Sequence, residues 1–215
     1  MPSATKIALT VAGVGAVGGG VGLSVHMLSS EDTSSLKFKL TSEGFNTSIS
    51  ATEWTEIFGE YDKTSNKNVF QVKAGETKNE EWLEKKCKEI LDKEDKQNTN
   101  YGLAIQWCVK PEKISDILGN KKGRYRLLDT DVTETGKTND KIAWNEKIRL
   151  LGLPNNSGAK TSLAVQLSNS DEIEKIKEIK GRCATINALR TTSQGFVDKF
   201  NLAKQWCSVL KENNS

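Results

Sequence analysis

Polarity along the chain changes character near residue 29. From Ile7 to Leu28, 22 consecutive positions carry no formal charge; at about 1.5 Å of rise per residue they would make a helix of roughly 33 Å, close to the hydrocarbon thickness of a bilayer. Beyond Ser29 the apolar residues are spaced rather than continuous. Ile173, Ile176, Ile179, Cys183 and Ile186 recur every three or four positions, as do Phe196, Phe200, Ala203, Cys207 and Leu210, so both stretches predict amphipathic helices. Leu83, Cys87, Ile90 and Leu91 mark another helix, and Tyr101, Ala104 or Ile105, and Cys108 the next. The polar stretches DKQNTN and TTSQG between them read as turns. Alternation in LKFKL (36–40), VFQVK (69–73) and LAVQL (163–167) predicts short strands.

Comparing the chain with itself organises these elements. YGLAIQWCVK at 101–110 aligns with FNLAKQWCSV at 200–209, sharing Leu, Ala, Gln, Trp and Cys. Upstream, Cys87 closes NEEWLEKKC and Cys183 closes DEIEKIKEIKGRC, VFQVK corresponds to LAVQL, and Trp54 to Trp144. LKFKL and RYRLL (124–128) open the two copies. The expected architecture is mainly α with minor short β-strands: an N-terminal transmembrane helix over residues 1–29, then two tandem copies of a small helical-hairpin module at 35–119 and 123–212.

The leader holds six glycines. Glycine is tolerated in a membrane where helices approach closely, and Gly15 with Gly19, and Gly18 with Gly22, have the small-xxx-small spacing that permits such packing; the alternative is a lone anchor facing lipid. A cleaved signal peptide would have a shorter apolar core and a stronger basic leader than Lys6 alone. Gly13-x-Gly15-x-x-Gly18 also matches the dinucleotide-binding fingerprint, with Glu31 and Asp32 downstream, which would make the chain a nucleotide-dependent oxidoreductase. That reading needs a second buried strand and further strand–helix alternation, and neither follows. Lys6 before the span and the acids after it favour a cytoplasmic N-terminus and an extracellular C-terminal region.

An antiparallel hairpin sets residues opposite one another when they are equidistant from its turn. Cys87 and Cys108 are centred between Gln97 and Asn98, and Cys183 and Cys207 on Gly195, so each hairpin brings its own pair together. Two disulfides are expected on an external protein, and four reduced core thiols on an internal one. A four-Cys metal site lacks any C-x-x-C pair. Among the tryptophans, Trp54, Trp107, Trp144 and Trp206 are expected in the core, whereas Trp82, without a counterpart, is the candidate for an exposed ligand platform.

The charges change the picture little. A net charge of +3, from 31 basic and 28 acidic residues interleaved along the chain, argues against a nucleic-acid surface. The sole histidine, His26, lies in the apolar leader, which excludes Ser-His and Cys-His catalysis from the rest of the chain. The acid pairs Asp129 with Asp131 and Glu80 with Glu81 read as solvated faces. No enzyme, cofactor or metal is expected.

The Gly/Ala/Val-rich leader, Leu127-Leu128-Asp129-Thr130-Asp131, the Trp144 region, Trp107-Cys108-Val109-x-Pro111 leading into Ile114-Ser115-Asp116, and the terminal Trp206-Cys207 together resemble the paralogous families of uncharacterised membrane-anchored proteins of haemotrophic mycoplasmas. The resemblance spans nearly the whole chain. It implies a plasma-membrane anchor in a wall-less bacterium and a surface or antigenic role, with no catalytic residues to carry over. The first copy has Leu-Thr-Ser where the second has Leu-Leu-Asp, so that motif is half kept. The resulting expectation is a non-enzymatic, single-pass surface protein of the cell membrane, its partner a host or surface protein; the alternative is an anchored ligand-binding or accessory module facing the cytoplasm.

Overall fold

The computed structural model describes residues 34–63, 68–132, 140–168 and 171–211, and over these the chain is mainly helical. The first helix, α1, covers Leu36–Glu43. Ser35 caps it by accepting from the Phe38 N–H, and Gly44, with φ of 105°, closes it in the left-handed region. A Cβ at Gly44 would lie 2.3 Å from the Ile117 carbonyl oxygen, so only glycine fits there. The strand expected at LKFKL is therefore a helix. Leu36 and Leu40 sit four residues apart, and a helix buries both while turning Phe38 outward.

Helix α2 spans Ala51–Tyr61 and opens where the Glu53 carboxylate accepts from the Ser50 N–H at 2.8 Å. The strand expected at 69–73 does not form. Its start is held by side chains instead: the Phe70 N–H donates to the Tyr61 hydroxyl at 2.9 Å, and the Asn68 carbonyl accepts from the Trp107 indole at 2.6 Å. Helices α3 (Glu80–Leu91) and α4 (Tyr101–Trp107) form the first hairpin, and α5 is the short Ile114–Leu118 helix after it.

Strand β1 (Tyr125–Leu127) opens the second half, followed by α6 (Lys141–Leu151), a 3-10 turn at Pro154–Asn156 and α7 (Ser157–Leu163). LAVQL is also no strand. Leu163 ends α7, Ala164 and Leu167 take positive φ, and the Gln166 and Leu167 N–H groups donate to the Glu178 carboxylate at 2.6 and 3.0 Å rather than to a neighbouring strand. Helices α8 (Glu172–Asn187) and α9 (Phe196–Trp206) make the second hairpin, and β2 (Ser208–Leu210) returns antiparallel to β1, pairing Tyr125 with Leu210 and Leu127 with Ser208.

Both halves share one continuous hydrophobic core, from Leu36 to Cys207. Backbone bonds stitch it at several points. Leu36 N–H donates to Lys93 C=O at 2.8 Å, tying the start of α1 to the first hairpin turn. Between the halves, Ile114 N–H donates to Leu189 C=O at 2.9 Å and Thr191 N–H to Glu112 C=O at 3.0 Å, so the second hairpin turn rests on the segment that follows the first hairpin. Among the described residues no helix is long and apolar enough to cross a membrane. The candidate span, with Gly15, Gly18, Gly19 and Gly22 and the fingerprint at 13–18, lies outside the described residues.

Candidate functional site: two bridged hairpins and a charged seam

Helical periodicity puts Cys87 on the buried face of α3 and Cys183 on that of α8, while Cys108 and Cys207 fall one residue after α4 and α9 end. The structure bonds each pair within its own hairpin: Cys87 to Cys108 with Cα atoms 5.2 Å apart, and Cys183 to Cys207 at 5.5 Å. No described cysteine is free. All four are buried to 1 % exposure or less, out of reach of solvent oxidants, reductants and metal ions.

The tryptophans divide differently from the sequence expectation. Trp107, Trp144 and Trp206 are fully buried, and Trp54 is only half-buried at the core margin. Trp82 is no exposed platform: it is 8 % exposed and lies 6.1 Å from Tyr61 between ring centroids, in a cluster with Phe70. Its indole N–H finds a partner in Glu76 at 2.9 Å, so α3 can turn it inward without leaving a donor unpaired.

Each half uses a loop acid to fasten its hairpin. In the first, the Glu76 carboxylate accepts from Lys86 at 2.8 Å, from the Trp82 indole and from the Lys73 N–H at 3.0 Å. These bonds, the Lys86 ammonium foremost, hold the Glu76 carboxyl down to a pKa of about 2. In the second, Lys180 of α8 is 2 % exposed and donates to the Asp129 carboxylate at 3.0 Å and to the Asp131 carbonyl at 2.8 Å, while the Trp144 indole donates to the Asp129 carbonyl at 3.1 Å. Asp129 is therefore not on a solvated face: its carboxylate is the clasp over a buried lysine, whereas Asp131 is exposed and offers that lysine its backbone carbonyl, and the Leu-Leu-Asp-Thr-Asp run is where the chain crosses α8. A lysine interrupting the apolar stripe between Ile176 and Cys183 is the signal by which the sequence could have announced it. Glu80 and Glu81 do occupy the first turn of α3, where the helix dipole favours acids.

A second polar group lies where the halves meet. Glu43, at the end of α1, is 8 % exposed; it accepts from the Tyr101 hydroxyl of α4, and its carboxylate lies 3.8 Å from the Lys204 ammonium of α9. Lys204 also stands 5.8 Å from the Tyr101 ring centroid and 5.9 Å from that of Tyr125, and Lys39 lies 4.6 Å over the Tyr101 ring. Burial, then the Glu43 charge, pushes the Tyr101 hydroxyl far above its ordinary range, so it acts as a fixed donor. These residues are scattered between positions 39 and 204, and no local pattern connects them.

What this arrangement can do chemically is hold two halves together. The surface hollows are open stretches of helix face, one lined by Asp198, Lys199 and Gln205 of α9 and another by Lys85, Lys88 and Glu89 of α3. Among the described residues, no group of three or more His, Cys, Asp or Glu side chains could hold a metal ion. Among the described residues, three buried side-chain atoms lack a hydrogen-bond partner, Asn187 Oδ1, Thr191 Oγ1 and Trp206 Nε1. No family model, no curated protein and no solved structure matches this chain.

Proposed function

We propose that this chain is a non-enzymatic, single-pass membrane protein that displays a duplicated, disulfide-closed helical module outside the cell, where it meets a host or surface protein. The observation that carries this reading is the pairing of all four cysteines in two buried bridges, because such bonds form and persist in oxidising compartments and are rare in a reduced cytosol. The apolar run from Ile7 to Leu28 supplies the anchor. Duplication is supported by parts common to both halves, a helix bearing Trp54 or Trp144 and, after it, a hairpin whose last helix ends in Trp-Cys; the acid gripping a hairpin lysine follows that first helix in one half (Glu76) and precedes it in the other (Asp129).

Protease treatment of intact cells tests it. The region after Ser29 should be digested while cytosolic markers survive, and a non-reducing peptide map of the native protein should recover Cys87 with Cys108 and Cys183 with Cys207. A tail protected along with the cytosolic markers, carrying reduced thiols, would overturn display and favour an accessory module facing the cytoplasm.

A further inference from the structure

The geometry points to a second membrane contact: a basic surface around α1 and the inter-half loop that lies against the anionic headgroups of the bilayer holding the anchor. It rests on the anchor reading above. The first described residue, Ser34, follows Leu28 by six positions, so the tether spans at most about 20 Å even when fully extended. The folded region therefore begins close to the headgroups, and α1, about 12 Å long, is its first element.

The exposed side of α1 carries Lys37 and Phe38, the latter 39 % exposed, and no acid, because the helix's only carboxylate, Glu43, is buried in the seam. The loop Asn120–Gly123 docks on the C-terminal end of this helix. Asn120 Nδ2 donates to Gly44 C=O at 3.0 Å, and Gly123 packs so closely that an added Cβ would lie 3.3 Å from both Glu43 O and Gly44 Cα. Lys121 and Lys122 of that loop and Arg124 just after it are all exposed, and none is in an ion pair among the described residues. Beside them Leu210 is 57 % exposed at the end of β2.

The loop is also held rigid. The Lys211 ammonium donates to the carbonyls of Asn120, Lys121 and Gly123 at 2.7, 2.9 and 2.6 Å, and the Lys211 N–H donates to Arg124 C=O at 2.9 Å. Cations outside any ion pair, with exposed apolar side chains among them and only a short tether away from the anchor, match the chemistry of an anionic lipid surface. Glu31 and Asp32 in the tether oppose that attraction, so it must come from the folded part.

The full-length chain reconstituted with vesicles of phosphatidylcholine alone, or with about one third phosphatidylglycerol, separates the claims. After flotation, surface amines are acetylated and each lysine is read by peptide mass spectrometry relative to Lys88 of α3. Lys121 and Lys122 should react about fivefold more slowly on the anionic vesicles at low salt, and the protection should vanish at about 0.5 M salt. In the Lys121→Gln, Lys122→Gln, Arg124→Gln variant, Lys37 should lose most of its own protection. Equal rates on both lipids overturn the inference, as does protection that only added heparin or single-stranded DNA produces. Flotation with neutral vesicles establishes the anchor. A chain that floats only with anionic vesicles removes the anchor and keeps the surface; one that floats with neither overturns both.

Discussion

The two halves meet the same structural problem with different reserves. Each presents a hairpin closed by a disulfide one residue past a Trp-terminated helix, but α8 and α9 have 16 and 11 residues against 12 and 7 for α3 and α4. The shorter hairpin gathers more side-chain support. Tyr61 packs edge-on to Trp107 with centroids 5.2 Å apart, Phe70 meets Trp82 edge-on at 6.4 Å, and the Trp107 indole is satisfied by Asn68. The longer hairpin packs Phe196 on Phe200 and borrows Phe45 from the first half at 4.8 Å, yet its Trp206 indole has no partner. Helix length and aromatic packing thus substitute for one another, since either buries enough apolar surface to order a short connection.

The largest effect should come from the bridges. Replacing both cysteines of either pair by serine should lower stability by about 3 kcal/mol in the chain-entropy model. The sequence separations of 21 and 24 differ too little to distinguish the pairs, by about 0.1 kcal/mol. Urea unfolding of the two double variants therefore tests the comparison directly: a gap of more than about 1 kcal/mol would mean that packing, not loop closure, separates the halves.

Next is the clasp. Lys180→Met leaves the Asp129 carboxylate, about a third exposed, without its cation, and should cost about 2 kcal/mol, below the range for a fully buried pair because water still reaches that acid. Lys86→Met removes a lysine that is itself more exposed and leaves Glu76 with the Trp82 indole and the Lys73 N–H as donors, so it should cost clearly less in the same chemical denaturation series. Equal losses would deny the second half its stronger dependence on a buried charge.

Smaller still is the indole difference. Trp107→Phe and Trp206→Phe remove similar volume, but only the first also breaks a hydrogen bond, so the Trp107 variant should be the less stable by about 1 kcal/mol. Thermal unfolding followed by circular dichroism would read the gap, and a Trp206 variant that suffers equally would reveal a partner for that N–H in solution.

The smallest effect belongs to Glu76. Its carboxyl titrates near 2 in the folded chain, below its usual range in the unfolded one. It therefore adds stability that is fully present above the ordinary carboxylate pKa and is lost as pH falls through that range towards 2. The urea midpoints of the natural chain and of Glu76→Gln should be furthest apart near about pH 6, draw together as the pH falls, and converge only below the folded value of about 2. A gap independent of pH would count against the ionised clasp in the first half.

Helices α8 and α9 and both hairpin turns were legible because their information is local: apolar residues at helical spacing and polar or glycine residues at the reversal. The cysteine pairing followed from the same symmetry. LKFKL was not legible, because apolar residues at its first, third and fifth positions satisfy a strand's period of two and a helix's i, i+4 contact equally. The capping Ser35 and the glycine at 44, with the core waiting for Leu36 and Leu40, chose the helix. Trp82 was misread because its partner, Glu76, lies in an irregular loop that carries no periodic signal.

The amino-acid order alone determined the apolar leader, the helical periods, the twice-written Trp-Cys motif and the absence of histidine chemistry beyond residue 29, all properties set within a few turns of chain. Only the tertiary structure decided which carboxylates became clasps, which tryptophan turned inward and how Glu43, Tyr101 and Lys204 form a seam. Those outcomes depend on groups distant in sequence meeting in a core of low polarity, where a charge or an indole N–H persists only if the fold delivers it a partner.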